Sequence, residues 1–170
     1  MIRPMQLADI PRVAEIHVFG WRSAYRGIVP DEHLFNNMTV TKRIEKLTEW
    51  LTNPDNKYKN YVYDDGIIKG FLSIGPSRDD DKPQAYELGG LYIEPLFKGQ
   101  GIGTALAHYC EKIATKEGYD EIKLWTFEKN APTRAFYEKL GYVPDGKTMI
   151  VEPFGAVGVR YGKRVGDLRA

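Results

Sequence analysis

The stretch of this sequence with the most chemical content is Leu91-Tyr92-Ile93-Glu94-Pro95-Leu96-Phe97-Lys98-Gly99-Gln100-Gly101-Ile102-Gly103-Thr104. A β-rich run ends, glycines follow at alternate positions, and a helical pattern begins. Glycine lets the backbone turn sharply and leaves its N–H groups uncovered by side chains. Such N–H groups at a helix N-terminus are a seat for an anion such as a pyrophosphate. The helix dipole contributes only ~0.3–1 kcal/mol per charge, so hydrogen bonds from the Lys98–Thr104 backbone must do most of the holding. Spacing excludes two common phosphate loops. A P-loop needs Gly-x-x-x-x-Gly-Lys-Ser/Thr, and here Gly103 is followed directly by Thr104. A dinucleotide fingerprint needs Gly-x-Gly-x-x-Gly, whereas Gly99, Gly101 and Gly103 are evenly spaced.

Metal and thiol chemistry find little support. His17, His33 and His108 lie far apart from one another and lack ligand spacing, so no metal site is expected. Cys110 is the single cysteine, which excludes an intramolecular disulfide. It falls on the apolar stripe of a helical segment, the setting of an inert core thiol.

The elements that must position the glycine loop alternate in period. Ile2–Pro4 reads as a short first strand. Asp9 is a candidate N-cap with Pro11 in the first turn, and Val13, Ile16, Gly20 and Ala24 recur at helical spacing, which predicts a helix over about 10–25. Pro30-Asp31-Glu32-His33-Leu34 reads as another helix start. Thr39–Leu51 is amphipathic, with Ile44, Leu47 and Leu51 on one face and Lys42, Lys46 and Glu49 off it. Tyr58–Tyr63 and Ile67–Ile74 are β-rich runs joined by the hairpin signal Asp65-Gly66. Ala85–Ile93 reads as a strand in which Gly89-Gly90 suggests a bulge. A helix over Ile102–Glu117 closes at Gly118, a strand covers Glu121–Phe127, and a helix over Pro132–Leu140 ends at Gly141. Tyr142–Val151 and Val157–Val165 read as two final strands.

With 170 residues, 42% hydrophobic and 12% aromatic, the chain suits one compact domain over residues 1–170. Lys and Arg total 24 against 23 Asp and Glu, a net charge of +1 that demands neither nucleic acid nor a membrane surface as partner. No run approaches the ~18 apolar residues of a membrane span, and the N-terminus lacks the apolar core of a signal peptide. A cytoplasmic location is the expectation.

Two motifs resemble those of the GNAT superfamily of N-acetyltransferases. Lys98-Gly99-Gln100-Gly101-Ile102-Gly103 resembles its acyl-CoA-binding motif, Gln/Arg-x-x-Gly-x-Gly/Ala, with lysine at the first position. Lysine keeps a cation there but loses the planar fork of arginine. Downstream, Asn130-Ala131-Pro132-Thr133-Arg134-Ala135-Phe136-Tyr137 and Leu140-Gly141-Tyr142 resemble its Asn-x-x-Ala-x-x-Phe-Tyr and Gly-Phe/Tyr elements, with Thr133 in place of alanine. The resemblance spans roughly residues 2–162 and is sharp over 85–142. It implies a mixed α/β fold with a splayed central sheet of about six to seven strands flanked by helices.

The resemblance further implies acetyl-CoA as co-substrate, no metal, and direct acetyl transfer to a primary amine. Pantetheine would lie in the splay as a pseudo-strand against backbone groups of Leu91 and Ile93, with the Leu91 or Tyr92 N–H meeting the acyl oxygen. Asn130 would bind cofactor amides, and an N-cap role is compatible with that. Tyr137 would protonate the leaving thiolate and Glu87 would take the amine proton through water. The segment after the first helix would wall the acceptor site, with Trp21 and Tyr25 as an aromatic wall for a cationic amine. Asp31, Glu32 and Asp79-Asp80-Asp81 are further sources of negative charge.

A small amine is the leading acceptor, and a protein N-terminus or lysine is the runner-up. Acetylation of aminoacyl-tRNA would want a basic face, for which the only hint is the Lys147–Ala170 tail with five Lys/Arg against two Asp/Glu. A non-catalytic acyl-CoA-binding module is the alternative outside enzymes, and retention of Glu87 and Tyr137 argues against it. The resemblance also allows a homodimer formed through the strands after Tyr142.

Overall fold

A computed structural model describes residues 1–165. Seven strands form one sheet in the order β1-β2-β3-β4-β5-β7-β6. They are β1 (Ile2–Pro4), β2 (Lys59–Asp64), β3 (Ile68–Pro76), β4 (Tyr86–Ile93), β5 (Glu121–Phe127), β6 (Val143–Val151) and β7 (Ala156–Arg164). Four helices accompany them: α1 (Ile10–Ala24), α2 (Val40–Thr52), α3 (Ile102–Lys116) and α4 (Ala131–Lys139). This is the mixed α/β architecture expected from the sequence, and most boundaries fall within two residues of the reading above. Thr39 caps α2, its side chain accepting the Lys42 N–H at 3.3 Å. A short helical segment does start after Pro30, at Asp31, and runs on as a π-helical turn over His33–Asn37.

The apolar faces explain the layering. Leu106, Cys110 and Ala114 of α3 and Tyr137 of α4 pack with Leu72, Ile74, Tyr86, Leu88, Ile122 and Leu124 of the strands. On the opposite face, Ile10, Val13, Ala14 and Ile16 of α1 and Leu47 of α2 cover Val62 and Phe71. Alternation along a strand sends neighbouring residues to opposite faces, so both sides are sealed.

Two irregularities position the site. The β3–β4 register shifts between Ser73 and Ile74, where Ser73 faces Gly90 and Ile74 faces Leu88, leaving Gly89 as the extra residue of a bulge. The parallel β4–β5 ladder holds only at Tyr86↔Ile122 and Glu87↔Lys123. Beyond Glu87 the two strands part, and β4 leaves one row of backbone groups unpaired in the splay. Among the described residues, no helix is long and apolar enough to cross a membrane.

Candidate active site

The glycine loop sits at the end of β4, on one lip of the splay. Gly99 and Gly101 adopt φ of 79° and 80°, a left-handed backbone that only glycine takes without strain, and nothing lies within 4 Å of a Cβ built on either. Gly101 is the N-cap of α3 and has no side chain to satisfy the first N–H groups, which leaves the end of the helix open to an external acceptor. The loop after β5 forms the other lip. There Asn130 caps α4, its Oδ1 accepting the Thr133 N–H at 3.4 Å, while its Nδ2 is buried and without a partner. A cleft of ≈ 420 Å³ lies between the lips, lined by Lys98 on one side, by Lys129, Asn130, Pro132 and Thr133 on the other, and by Ser23–Ile28 after α1. An open glycine cradle, three cations (Arg26, Lys98 and Lys129) and an orphaned amide donor fit a phosphorylated molecule bearing amide groups. The helix begins at Ile102, which is buried, and Gly103 runs so close to Phe136 that a Cβ would sit 3.2 Å from its ring. Thr104 lies in the first turn of α3, and Gln100 is exposed on the loop.

Leu91 and Ile93 lie on β4 beyond the last β4–β5 pair, where the strand borders the splay. Tyr137 is buried on α4 with its ring 5.6 Å from Tyr142 and 5.0 Å from Phe136. Burial pushes its phenol above the ordinary tyrosine value, so it keeps its proton through neutral pH. Among the described residues its hydroxyl has no hydrogen-bond partner.

A second cleft, of ≈ 510 Å³, opens on the α1–α2 face and reaches the β4 bulge, where Ser73, Gly89, Gly90 and Tyr92 line it. The Tyr92 side chain points to this face. Its hydroxyl accepts from Trp21 Nε1 at 3.0 Å and lies 3.4 Å from the Tyr25 hydroxyl. Gly20 permits this, since a Cβ there would stand 3.3 Å from the Tyr92 ring. Trp21 lines the cleft, and Tyr25 stands behind it, edge-on to both Trp21 and Phe127. Burial drives His17, also on the wall, well below its ordinary pKa and keeps it neutral.

Glu87 is turned into an ion-pair seam and does not itself line either cleft. It is only 3% exposed. Its Oε1 accepts from Arg78 Nη2 at 2.6 Å, its Oε2 accepts from the Arg78 backbone N–H at 3.0 Å, and Lys123 Nζ lies 2.9 Å away. Burial alone would raise its pKa, but the hydrogen bonds from Arg78 and Lys123 outweigh it and bring the carboxyl down to about 2. Lys123, fully buried, also pairs with Asp79 at 2.9 Å, and Asp79 continues to Arg160 at 3.0 Å and to Trp125 Nε1 at 2.9 Å. The Asp79-Asp80-Asp81 turn thus fastens β4 to β5 and β7 through Asp79 and Asp81, and none of its carboxylates lines the cleft on the α1–α2 face. Two cations of the C-terminal tail are likewise consumed internally, Arg160 by Asp79, Asp81 and Asp145 and Lys163 by Glu111. Asp167 and Arg169 of that tail lie outside the described residues. Asp31 and Glu32 are exposed and line neither cleft.

Sequence reasoning missed Arg43, Lys46, Ser73 and Arg78, all of which line the cleft on the α1–α2 face. Arg43 and Lys46 share one face of α2 with Trp50, a spacing that was legible. Only the packing of α2 shows that this polar face overhangs a cleft.

Comparison with known proteins agrees with the geometry. The profile of the Acetyltransferase (GNAT) family matches residues 21–142. An uncharacterized N-acetyltransferase, YuaI of Bacillus subtilis, is 28% identical over 165 residues, covering 97% of this chain and 90% of that protein. A spermidine N(1)-acetyltransferase of Thermoplasma acidophilum is 25% identical over 158 residues, covering 89% of this chain and 94% of that one. The crystal structure of PaiA N-acetyltransferase from Thermoplasma acidophilum in complex with coenzyme A shares the fold with a TM-score of 0.71 at 21% identity, covering 96% of this chain and 98% of that one. With a match across more than half its length and this fold around the two clefts, the chain belongs to the GNAT family of acetyltransferases and is an acyltransferase.

Proposed function

We propose that the protein transfers an acetyl group from acetyl-CoA to a primary amine of a small molecule by direct transfer. The observation that carries this reading is the cation-bordered cleft between Lys98 and the Asn130 loop, where an open glycine turn leads into α3 and the Asn130 amide donor is buried without a partner. The Lys98–Thr104 backbone, with Lys98 beside it, receives the pyrophosphate. Asn130 Nδ2 donates to an amide oxygen of the pantetheine arm, and the free edge of β4 at Leu91 and Ile93 pairs with that arm in the manner of strand addition. Acetyl-CoA supplies an acyl thioester whose C–S bond breaks as the amine forms its N–C bond.

The chain's own residues manage the two protons. An alkylamine with a pKa near 10 is protonated at pH 7, so it must lose a proton before attack. Glu87 takes that proton through water. Its outer partner Arg78 lines the cleft on the α1–α2 face, here the acceptor cleft, with a 65% exposed side chain, so the water relay between that cleft and the carboxylate runs along Arg78. Tyr137, neutral and buried, returns a proton to the departing thiolate. The Leu91 and Tyr92 N–H groups next to the bulge meet the acyl oxygen as charge develops on it.

The test is amine-dependent release of free thiol from acetyl-CoA across small amines, N-terminal peptides and lysine peptides, alongside thermal melting with coenzyme A. Release with small amines, together with a melting temperature that rises with coenzyme A, is expected. Absence of both, or release with peptides only, overturns the reading.

A further inference from the structure

The charge lining the acceptor cleft is predominantly positive. Arg43 and Lys46 of α2 and Arg78 after β3 stand on its wall against a single carboxylate, Glu49. Arg78 is already neutralised by Glu87. Among the described residues, neither Arg43 nor Lys46 has an acidic side chain within ion-pair distance. Arg43 Nε is buried with no hydrogen-bond partner, and so is Ser73 Oγ on the same wall. Leaving a guanidinium donor both desolvated and unpaired costs free energy that an anion would recover. Arg43 and Lys46 lie three residues apart, so both heads project from one side of α2 over the same opening.

We infer that the acceptor amine carries an anionic group, a carboxylate or a phosphate, which Arg43 grips and Lys46 reinforces while the amine end extends to the bulge at Gly89-Gly90. The inference rests on the acetyltransferase reading and names its substrate class. Guanidinium matches both carboxylate and phosphate with two parallel N–H donors, which explains why the deeper of the two unpaired cations is arginine. The Ser73 hydroxyl supplies one more polar group on the floor. A polyamine meets the opposite situation, since each extra ammonium group would enter a cleft where two unpaired cations, Arg43 and Lys46, outnumber the one carboxylate, Glu49. The Trp21–Tyr25–Tyr92 aromatic group remains available to the amine end, so one site reads both ends of a zwitterionic or anionic amine.

The experiment compares kcat/KM for thiol release within matched pairs: an amino acid against its amide, an amino-sugar phosphate against the free amino sugar, and spermidine as the polycation. At least one anionic member is expected to exceed its uncharged partner by about tenfold or more, the scale of one charged hydrogen-bonded contact, and to exceed spermidine by more. Which pair shows the preference distinguishes carboxylate from phosphate. Arg43→Gln is expected to lower the anionic-to-neutral ratio by about tenfold, chiefly through KM, and Lys46→Gln to lower it less. Lys112→Gln, which removes an exposed cation from α3, leaves the ratio in place and controls for net charge. Melting curves with coenzyme A show that each variant is folded. Preference for spermidine or for the neutral partners, or a ratio that survives both α2 substitutions, overturns the inference while leaving the acetyltransferase reading standing. No release with any amine and no response to coenzyme A overturns both.

Discussion

Tyr137 and Glu87 occupy opposite electrostatic settings. Tyr137 sits among aromatic rings with no hydrogen-bond partner among the described residues, and burial raises its pKa. Glu87 is held by two cations and a backbone N–H, which lower its pKa to about 2. One group therefore stays a neutral phenol and the other a carboxylate at neutral pH, which is the division that the proposed proton roles require. Tyr137→Phe keeps the ring and its packing while removing the donor, so kcat is expected to fall by about 10²-fold with KM for acetyl-CoA nearly unchanged. Steady-state kinetics at pH 7 measure it, and a kcat within about threefold of wild type would take Tyr137 out of the reaction.

At the scale of elements, the loop into α3 and the α2 face make separate contributions. Gly101 at φ 80° has open space where a side chain would go, so that space belongs to the ligand. Gly101→Ala is expected to cost about 1 kcal/mol of stability from backbone strain and to raise KM for acetyl-CoA by about tenfold, because the methyl group enters the anion seat. Gly118→Ala imposes the same strain, at φ 87°, on the far end of α3 and is expected to leave that KM alone. If the two variants raise KM equally, the loop is only a turn.

The loop was legible in the sequence because glycine spacing is a local property, and so were the Asp65-Gly66 hairpin and the strand at Glu121–Phe127. The β4 bulge was legible only as a glycine pair, since its effect depends on the partner register at Ser73 and Ile74. The pairing of Glu87 with Lys123 was not legible, because it depends on two parallel strands meeting in one register. Lys46 read only as off the apolar face of α2 and Arg43 went unread for the same reason, since nothing local to α2 says what lies beneath it.

Across the whole molecule, the net charge of +1 conceals three charged districts. Cations border the cleft between the glycine loop and the Asn130 loop at Arg26, Lys98 and Lys129, others border the cleft on the α1–α2 face, and a seam of ion pairs links β4, β5 and β7. The seam stands where the β4–β5 ladder is reduced to two residue pairs, so side-chain charge holds together strands that the splay has separated. Lys123 is its buried centre, and removing one partner of such a pair leaves carboxylates uncompensated. Lys123→Met is therefore expected to lower stability by about 3 kcal/mol, read from urea unfolding.

The same seam predicts acid sensitivity. Glu87 has its pKa depressed from 4.5 to about 2 in the folded state, so it contributes stability that is fully present above about pH 5 and is lost as pH falls from about 4.5 to 2. A depression of this size corresponds to about 3 kcal/mol. Glu87→Gln removes the titration, so the stability gap between wild type and this variant should be widest near neutral pH and should close toward pH 2. A gap that stays constant with pH would show that Glu87 acts there by packing alone. The acid limb of stability reads the Glu87 carboxylate directly, and Lys123→Met tests its clamp. It weakens the clamp on Glu87 and raises its pKa while leaving Tyr137 and the glycine loop untouched.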